Sequence, residues 1–519
     1  MRCHTSVSIT LDVAIATRGA KLSVLEKIAA LAGFSYEAAM RVTPLLLSLV
    51  VVACASPVRT PHEAPAGVEK WSEGIDWKQA GDETVALLQG YLKLDTMNPP
   101  GNETLGAEYL KSELAKDGLE ATVHEFAPGR GSLIARLKAG APSGQKPLCL
   151  LSHIDTVPAE DDKWPSDTGP LSGVVKDGMV WGRGALDMKG MGALELQTFR
   201  LLARNKVTLH RDVLLLAVAD EEVAEGGMKL VTEKLWSEVD CGHVINEGGM
   251  GIKGLLSEGE TTFAISVGEK GVFWARITAE GEAGHGSTPI DERAPTRLVK
   301  ALAKFDTRKP TPRVQPAMYE LLRREGAKNG GASGFVMQRP ALVDQFAMKK
   351  LLARPTTRAT ITDTCQVTGF DGRGTAPNVI PSGVSAIVDC RLLPGTTPKA
   401  MQEELEALIK DVPGVKVEVL QAFEAGVSDI DDPLFDALAR QAVRGHPNAI
   451  AGPAISPGFT DSILARAKGA RAYGFVPFDI TPEELATFHG RDERVSVANV
   501  HRGLEVLFRA VVDVSATAP

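Results

Sequence analysis

Short apolar runs that end in acidic turns set the pattern of the central chain. Pro147–Leu151 is continuously apolar, as a strand buried on both faces of a parallel sheet must be, and it runs into Ser152-His153-Ile154-Asp155. Asp212–Ala219 has the same character and ends in Asp220-Glu221-Glu222; His243-Val244-Ile245 ends in Asn246-Glu247-Gly248-Gly249. Helical spacing marks Thr84–Leu94, Glu103–Asp117, Met188–Asn205, Arg293–Phe305, Asp432–Val443 and Val497–Val512. Glu120–Phe126 and Ser132–Leu137 read as strands. From about Gly259 the texture changes. Thr261–Val267 and Val272–Ala279 alternate as antiparallel strands do, and Thr360–Gly369 and Val384–Leu392 are strand-like, while residues 306–359 are charged, punctuated by Pro and Gly, and carry no clear period. The pattern predicts an α/β domain with a mixed, mostly parallel sheet flanked by helices, over residues 71–259 and 425–519. An α+β domain is expected as an insertion over 260–424.

The N-terminal stretch changes the picture of where the mature chain starts. Met40 opens a segment with one positive charge, an apolar run Leu45–Val52 and a small residue before Cys54. That is the form of a signal peptide, and Val51-Val52-Ala53-Cys54 resembles a bacterial lipobox, whose cysteine is lipidated. Residues 1–39 are then expected to be an upstream artefact of gene calling, 40–54 a lipoprotein signal peptide and 55–70 a Pro-rich tether. The expected location is the bacterial periplasm or outer membrane, with membrane contact only through the lipid on Cys54.

With 519 residues, 44% apolar and 24% charged, the chain has the composition of a globular protein with a large core. A net charge of −8 and the lack of a basic run argue against nucleic acid as a partner. The six cysteines show no CxxC spacing. Cys149 and Cys241 lie in or beside apolar strands and are expected to be buried thiols; whether Cys365 and Cys390 meet is open from sequence.

Ligands of open α/β sheets bind where parallel strands end, and three such ends carry acidic residues here. Solvated turns rarely repeat that register. His153 and Asp155 share one face of an extended segment, as a metal-ligating imidazole and its orienting carboxylate do. Asp187 follows the turn Gly182-Arg183-Gly184 directly before a helix, where one carboxylate can address two cations.

These pieces, in order, are DTMNPPGNE, SHIDTVP, GRGALDMKG, the DEE run, NEGG, GHGS, NVIP…DCRLLPG and FHGRDERV. Together they resemble the di-zinc metallopeptidase family of glutamate carboxypeptidase, aminoacylase, acetylornithine deacetylase and succinyl-diaminopimelate desuccinylase, from about Thr84 to the C-terminus. The resemblance implies two Zn2+ per subunit, with Co2+ or Mn2+ able to substitute. Asp187 would bridge them, His153 and Glu247 completing one site, Glu222 and His489 the other. Asp155 would orient His153, Glu221 would be the general base, His285 would stabilise the oxyanion, and Asn378 and Arg391 would hold a substrate carboxylate. The inserted domain becomes a lid and dimerisation domain, His285 acting on the partner subunit of a homodimer. The interval from His285 to Asn378 is longer than in compact members, so an enlarged lid is expected. The expected activity is hydrolysis of a peptide or N-acyl amino acid with a free carboxylate. The alternatives are a biosynthetic deacetylase or desuccinylase, which export argues against, and a non-catalytic surface lipoprotein, which an intact ligand set argues against.

Overall fold

The computed structural model describes residues 59–160, 164–372 and 376–519; the expected signal peptide and Cys54 lie outside them. In chain order, helices α1 (Trp77–Leu92) and α2 (Glu103–Ala115) precede strands β1 (Ala121–Glu125), β2 (Gly131–Leu137) and β3 (Leu148–His153). Helix α3 (Lys189–Arg204) leads to β4 (Val213–Val218), β5 (His243–Lys253), β6 (Thr261–Glu269) and β7 (Gly271–Glu280). Then come α4 (Ala294–Asp306), α5 (Pro316–Asn329), β8 (Thr364–Gly372), β9 (Gly383–Leu392), α6 (Pro398–Ile409) and β10 (Val415–Phe423). Helix α7 (Pro433–Ala442), β11 (Ala449–Ser456), β12 (Arg471–Ile480) and α8 (Val497–Ser515) close the chain.

Eight strands form the main sheet, in the order β1-β2-β4-β3-β5-β12-β6-β11. The centre is parallel: β3 pairs with β4 and β5, and β12 with β5. Strand β3 is buried at every position, as its uninterrupted apolar run requires. Helices α1, α3 and α8 pack over one face, where Leu150, Leu194, Phe478, Leu504 and Phe508 share the large core. The apolar stripe Val500, Leu504, Leu507, Val511 makes α8 amphipathic, and Ser496 caps it by accepting from the Asn499 N–H at 3.0 Å.

A second, antiparallel sheet runs β8-β9-β7-β10 and has its own core of Phe273, Ile277, Leu298, Val388 and Leu405 under α4 and α6. Strand β6 is not part of it. It pairs in parallel with β11 and antiparallel with the end of β5, so the boundary expected at 260 falls one strand early. Alternation misled there: β6 is buried at almost every position, and its Thr, Ser and Gly positions mimic an exposed face.

Strand β12 had no sequence signal, because Gly474 and Pro477 break its apolar run. Gly474 lets it lie against β5, since a Cβ there would come 2.1 Å from the Glu247 carbonyl oxygen. The aperiodic stretch 306–359 is largely helical and packs α5 onto β11.

Two further expectations need correction. Cys149 and Cys241 are not free thiols but a disulfide, as are Cys365 and Cys390 on β8 and β9. The expected tether 55–70 is anchored where described: Arg59 forms ion pairs with Asp431 and the buried Asp436, His62 Nδ1 lies 2.9 Å from Asp436, and Val68 is fully buried.

Candidate metal centre

The carboxyl end of β3 delivers His153, which is 2% exposed. Its Nδ1 lies 2.9 Å from the Asp155 main-chain carbonyl, which can only accept. Nδ1 therefore carries the hydrogen, and Nε2 faces Asp187 Oδ1 at 3.1 Å and Glu247 Oε1 at 3.7 Å. His489 Nε2 approaches the other oxygen, Asp187 Oδ2, at 2.8 Å, and Glu222 Oε2 at 3.5 Å. One carboxylate thus presents its two oxygens to two imidazoles, each with a further carboxylate beside it.

Asp155 does its positioning differently from the sequence-based expectation. Its carboxylate is 3.7 Å from His153 Nδ1, and the carbonyl makes the closer contact. The carboxylate oxygens instead accept the Glu221 and Glu222 backbone N–H groups, both at 3.1 Å. They hold the turn that follows β4. Asn98 adds to this by donating to Asp155 at 2.9 Å and to Asp220 at 2.8 Å.

Two positioning residues went unrecognised in the sequence. Asn98 sits in the DTMNPPGNE turn, and Glu493 in FHGRDERV. Fully buried Glu493 accepts from the N–H groups of Gly184, Leu186 and Asp187, at 3.1, 2.8 and 3.1 Å, and from Arg183 at 2.6 Å. It therefore fixes the loop that presents Asp187. The signal was an acidic residue inside a quoted motif with no role assigned to it.

Charge crowding decides what this cluster can hold. Burial raises the Glu221 carboxyl well above its ordinary range, with Glu247 adding to the effect. Burial and then Asp187 push Glu222 up to about 8 and raise Glu247 as well. Burial would also raise Asp187, but the His153 and His489 imidazoles overcome it and hold that carboxyl low. Four carboxylates against two imidazoles carry an excess of negative charge, and Glu222 Oε1 is buried with no hydrogen-bond partner. Ligand atoms of His153, Asp187 and Glu222, and of His153, Glu221 and Glu247, lie within 4.8 Å of one another. Imidazole nitrogens and carboxylate oxygens suit divalent zinc or manganese, and the donor set fits such cations.

The cluster opens into a cavity of about 550 Å³ that Asp187, Glu221, Glu222, Glu247 and His489 help to line. Arg391 also lines it. Asp389 accepts from its Nε and one terminal nitrogen at 2.8 and 2.9 Å, and the rings of Trp274 and Phe459 lie 5.8 and 5.7 Å from the guanidinium. The remaining N–H groups are still available to a second carboxylate. His285 and Asn378 are not among the lining residues. They sit together at the surface, His285 on the segment Gly284–His285 and Asn378 just before its partner Val379–Ile380, with Asn378 Nδ2 3.3 Å from His285 Nε2. His243, read as structural, bonds Asp432 at 3.0 Å.

Comparison with known proteins identifies the family. The family model described as peptidase family M20/M25/M40 matches residues 149–513. The N-fatty-acyl-amino acid synthase/hydrolase PM20D1 of Homo sapiens is 28% identical over 380 residues, 72% of this chain and 75% of the relative. Aminoacylase-1A of Rattus norvegicus is 26% identical over 435 residues, 82% of this chain and 94% of the relative. In fold the chain is similar to the M20 family metallo-carboxypeptidase Sso-CP2 from Sulfolobus solfataricus, with a TM-score of 0.64 at 19% identity, covering 83% of this chain and 98% of that one. With the ligand cluster at the strand ends and the family match across most of its length, the chain belongs to peptidase family M20/M25/M40 and is a metal-dependent hydrolase.

Proposed function

We propose that the protein hydrolyses the amide bond of an N-acyl amino acid or small peptide with a free carboxylate, by the aminoacylase or carboxypeptidase type of reaction. The supporting observation is Asp187 addressed by two imidazoles, at 3.1 and 2.8 Å, in a cavity that also holds the half-free guanidinium of Arg391. Divalent cations, zinc foremost, held by His153, Asp187, Glu222, Glu247 and His489 would supply the Lewis acidity that polarises a carbonyl and acidifies water. Glu221 takes the proton of the attacking water and returns it to the leaving amine; its burial makes the carboxylate a stronger base than usual. Arg391 fixes the substrate carboxylate through its free edge.

His285 and Asn378 belong to the site of a second copy in this reading, because their own chain keeps them at its surface. The homodimer then supplies an oxyanion donor to each site. A desuccinylase is disfavoured, since a succinyl group brings a second carboxylate and Arg391 is the single Lys or Arg among the described residues lining the cavity. Two disulfides support an oxidising compartment, consistent with export as a lipoprotein on Cys54. Cys54→Ser should release the protein from the membrane fraction; unchanged fractionation rejects the anchor.

The deciding measurement sets metal-loaded protein against N-acyl amino acids and their carboxyl-amidated counterparts. Hydrolysis of the free acids, abolished by a chelator and sharply weaker for the amidated forms, is expected. Equal rates on both, or activity indifferent to the chelator, would overturn the reading.

A further inference from the structure

The cavity has a second character away from the ligand cluster. Besides the acidic and imidazole groups, its lining includes Ile252 near the end of β5, Leu255 and Leu256 just after it, and Met318 and Leu321 from α5. Met318 and Leu321 are 7% and 2% exposed, and Leu256 packs against the same small core, which includes Leu322, Val343 and Ile361. The wall is therefore shared between the β5 end and the helical segment that follows α4.

Polar side chains on this side are few: Thr356, Thr357 and Thr360. The Thr357 hydroxyl bonds the Leu351 carbonyl, and that of Thr360 bonds Thr357 O at 2.8 Å. Neither has a hydrogen left for a ligand. A peptide lying here would bring more N–H and C=O groups than three hydroxyls can partner, and the remainder would lose their water uncompensated. An alkyl chain loses nothing and leaves water, and an apolar wall gives water few hydrogen bonds to stay for.

We propose that this wall is an acyl-chain subsite for an unbranched aliphatic tail, and that Leu256, Met318 and Leu321 set the tail length the enzyme accepts. The proposal rests on the amide-hydrolysis reading above and goes further by assigning the acyl side of the substrate. The carboxylate end is held by Arg391, the scissile carbonyl lies at the ligand cluster, and the tail runs along α5.

The test is a series of N-acyl derivatives of one amino acid, from acetyl through hexanoyl to dodecanoyl and hexadecanoyl. Each methylene taken from water should raise kcat/KM by about fourfold until the wall is filled, from the ~0.8 kcal/mol a buried methylene contributes. Leu321→Trp and Met318→Trp fill the wall, and the ratio of long-chain to acetyl kcat/KM should fall by on the order of tenfold or more in each. A ratio that stays as in the wild type overturns the assignment of these residues. Calorimetric binding of alkanoates to the unaltered protein guards against misfolded variants: affinity should rise with chain length, and a flat series overturns the subsite. The two readings fail separately. Acetyl hydrolysis without chain-length dependence sinks the acyl subsite alone, whereas chain-dependent alkanoate binding without hydrolysis of any member sinks the amidohydrolase reading alone.

Discussion

Glu221 and Glu222 are chain neighbours that the Asp155 carboxylate holds by their backbones, yet their side chains face different sides of the cluster. Glu222 is the one near His489, at 3.5 Å, while Glu221 groups with His153 and Glu247. Glu221→Gln should therefore keep the metal content and lose on the order of 100-fold or more in kcat. Asp187→Ala should empty both halves of the cluster, since both imidazoles converge on it. Metal analysis beside kinetics separates the two, and reversed phenotypes would exchange their roles. The same crowding gives a pH signature. Glu222 has a folded pKa of about 8 against an ordinary 4.5, so its contribution to stability is intact below about 4.5 and is lost as pH rises towards 8. A bound cation reverses that loss. The rise in Tm on adding a divalent metal to stripped protein should grow across this window, and a rise independent of pH would contradict the charge-crowding account.

Among the elements, β12 shows how strand packing sets the site. Gly474→Ala would drive a methyl group against Glu247 O, 2.1 Å from its ideal position, and push β12 off the strand that carries Glu247. A loss of about 1–3 kcal/mol in chemical denaturation is expected, together with weaker metal binding. Unchanged affinity would show that Glu247 is not positioned from this side. Sequence patterning found β3, β4 and the start of β5 because strands buried on both faces are uniformly apolar. It missed β12, where Gly474 and Pro477 interrupt the run, and placed β6 in the wrong sheet, because small polar residues on a buried strand look like alternation. The candidate ligands were legible for the same reason as the strands: they stand where apolar runs stop. Asn98 and Glu493 were not, since their work lies in backbone N–H groups that only the folded chain brings within reach. The disulfides were equally hidden, Cys149 and Cys241 being 92 residues apart.

For the whole molecule, the division of labour between the two sheets matters most. The main sheet brings the ligand cluster together within one chain, but a short separate strand pair keeps His285 and Asn378 at the surface, and the second sheet brings Arg391 to the cavity. If the missing donor comes from a partner, mixing inactive His285→Ala with inactive Glu221→Gln subunits should restore activity, because the mixed dimer has one complete site. No recovery after confirmed subunit exchange would place His285 in its own site or outside the reaction.

The helical segment that contributes Met318 and Leu321 to the apolar wall also has a peculiarity at its ends: the Arg313 N–H donates to the Ile361 carbonyl at 2.7 Å. The chain departs and returns at one point. In genetic terms such a segment would act as a cassette, free to change in length and composition without shifting the register of either sheet or the metal-binding residues. Chemistry and tail preference would then be inherited separately, and the interval between His285 and Asn378 would serve as a record of which tails each lineage has met.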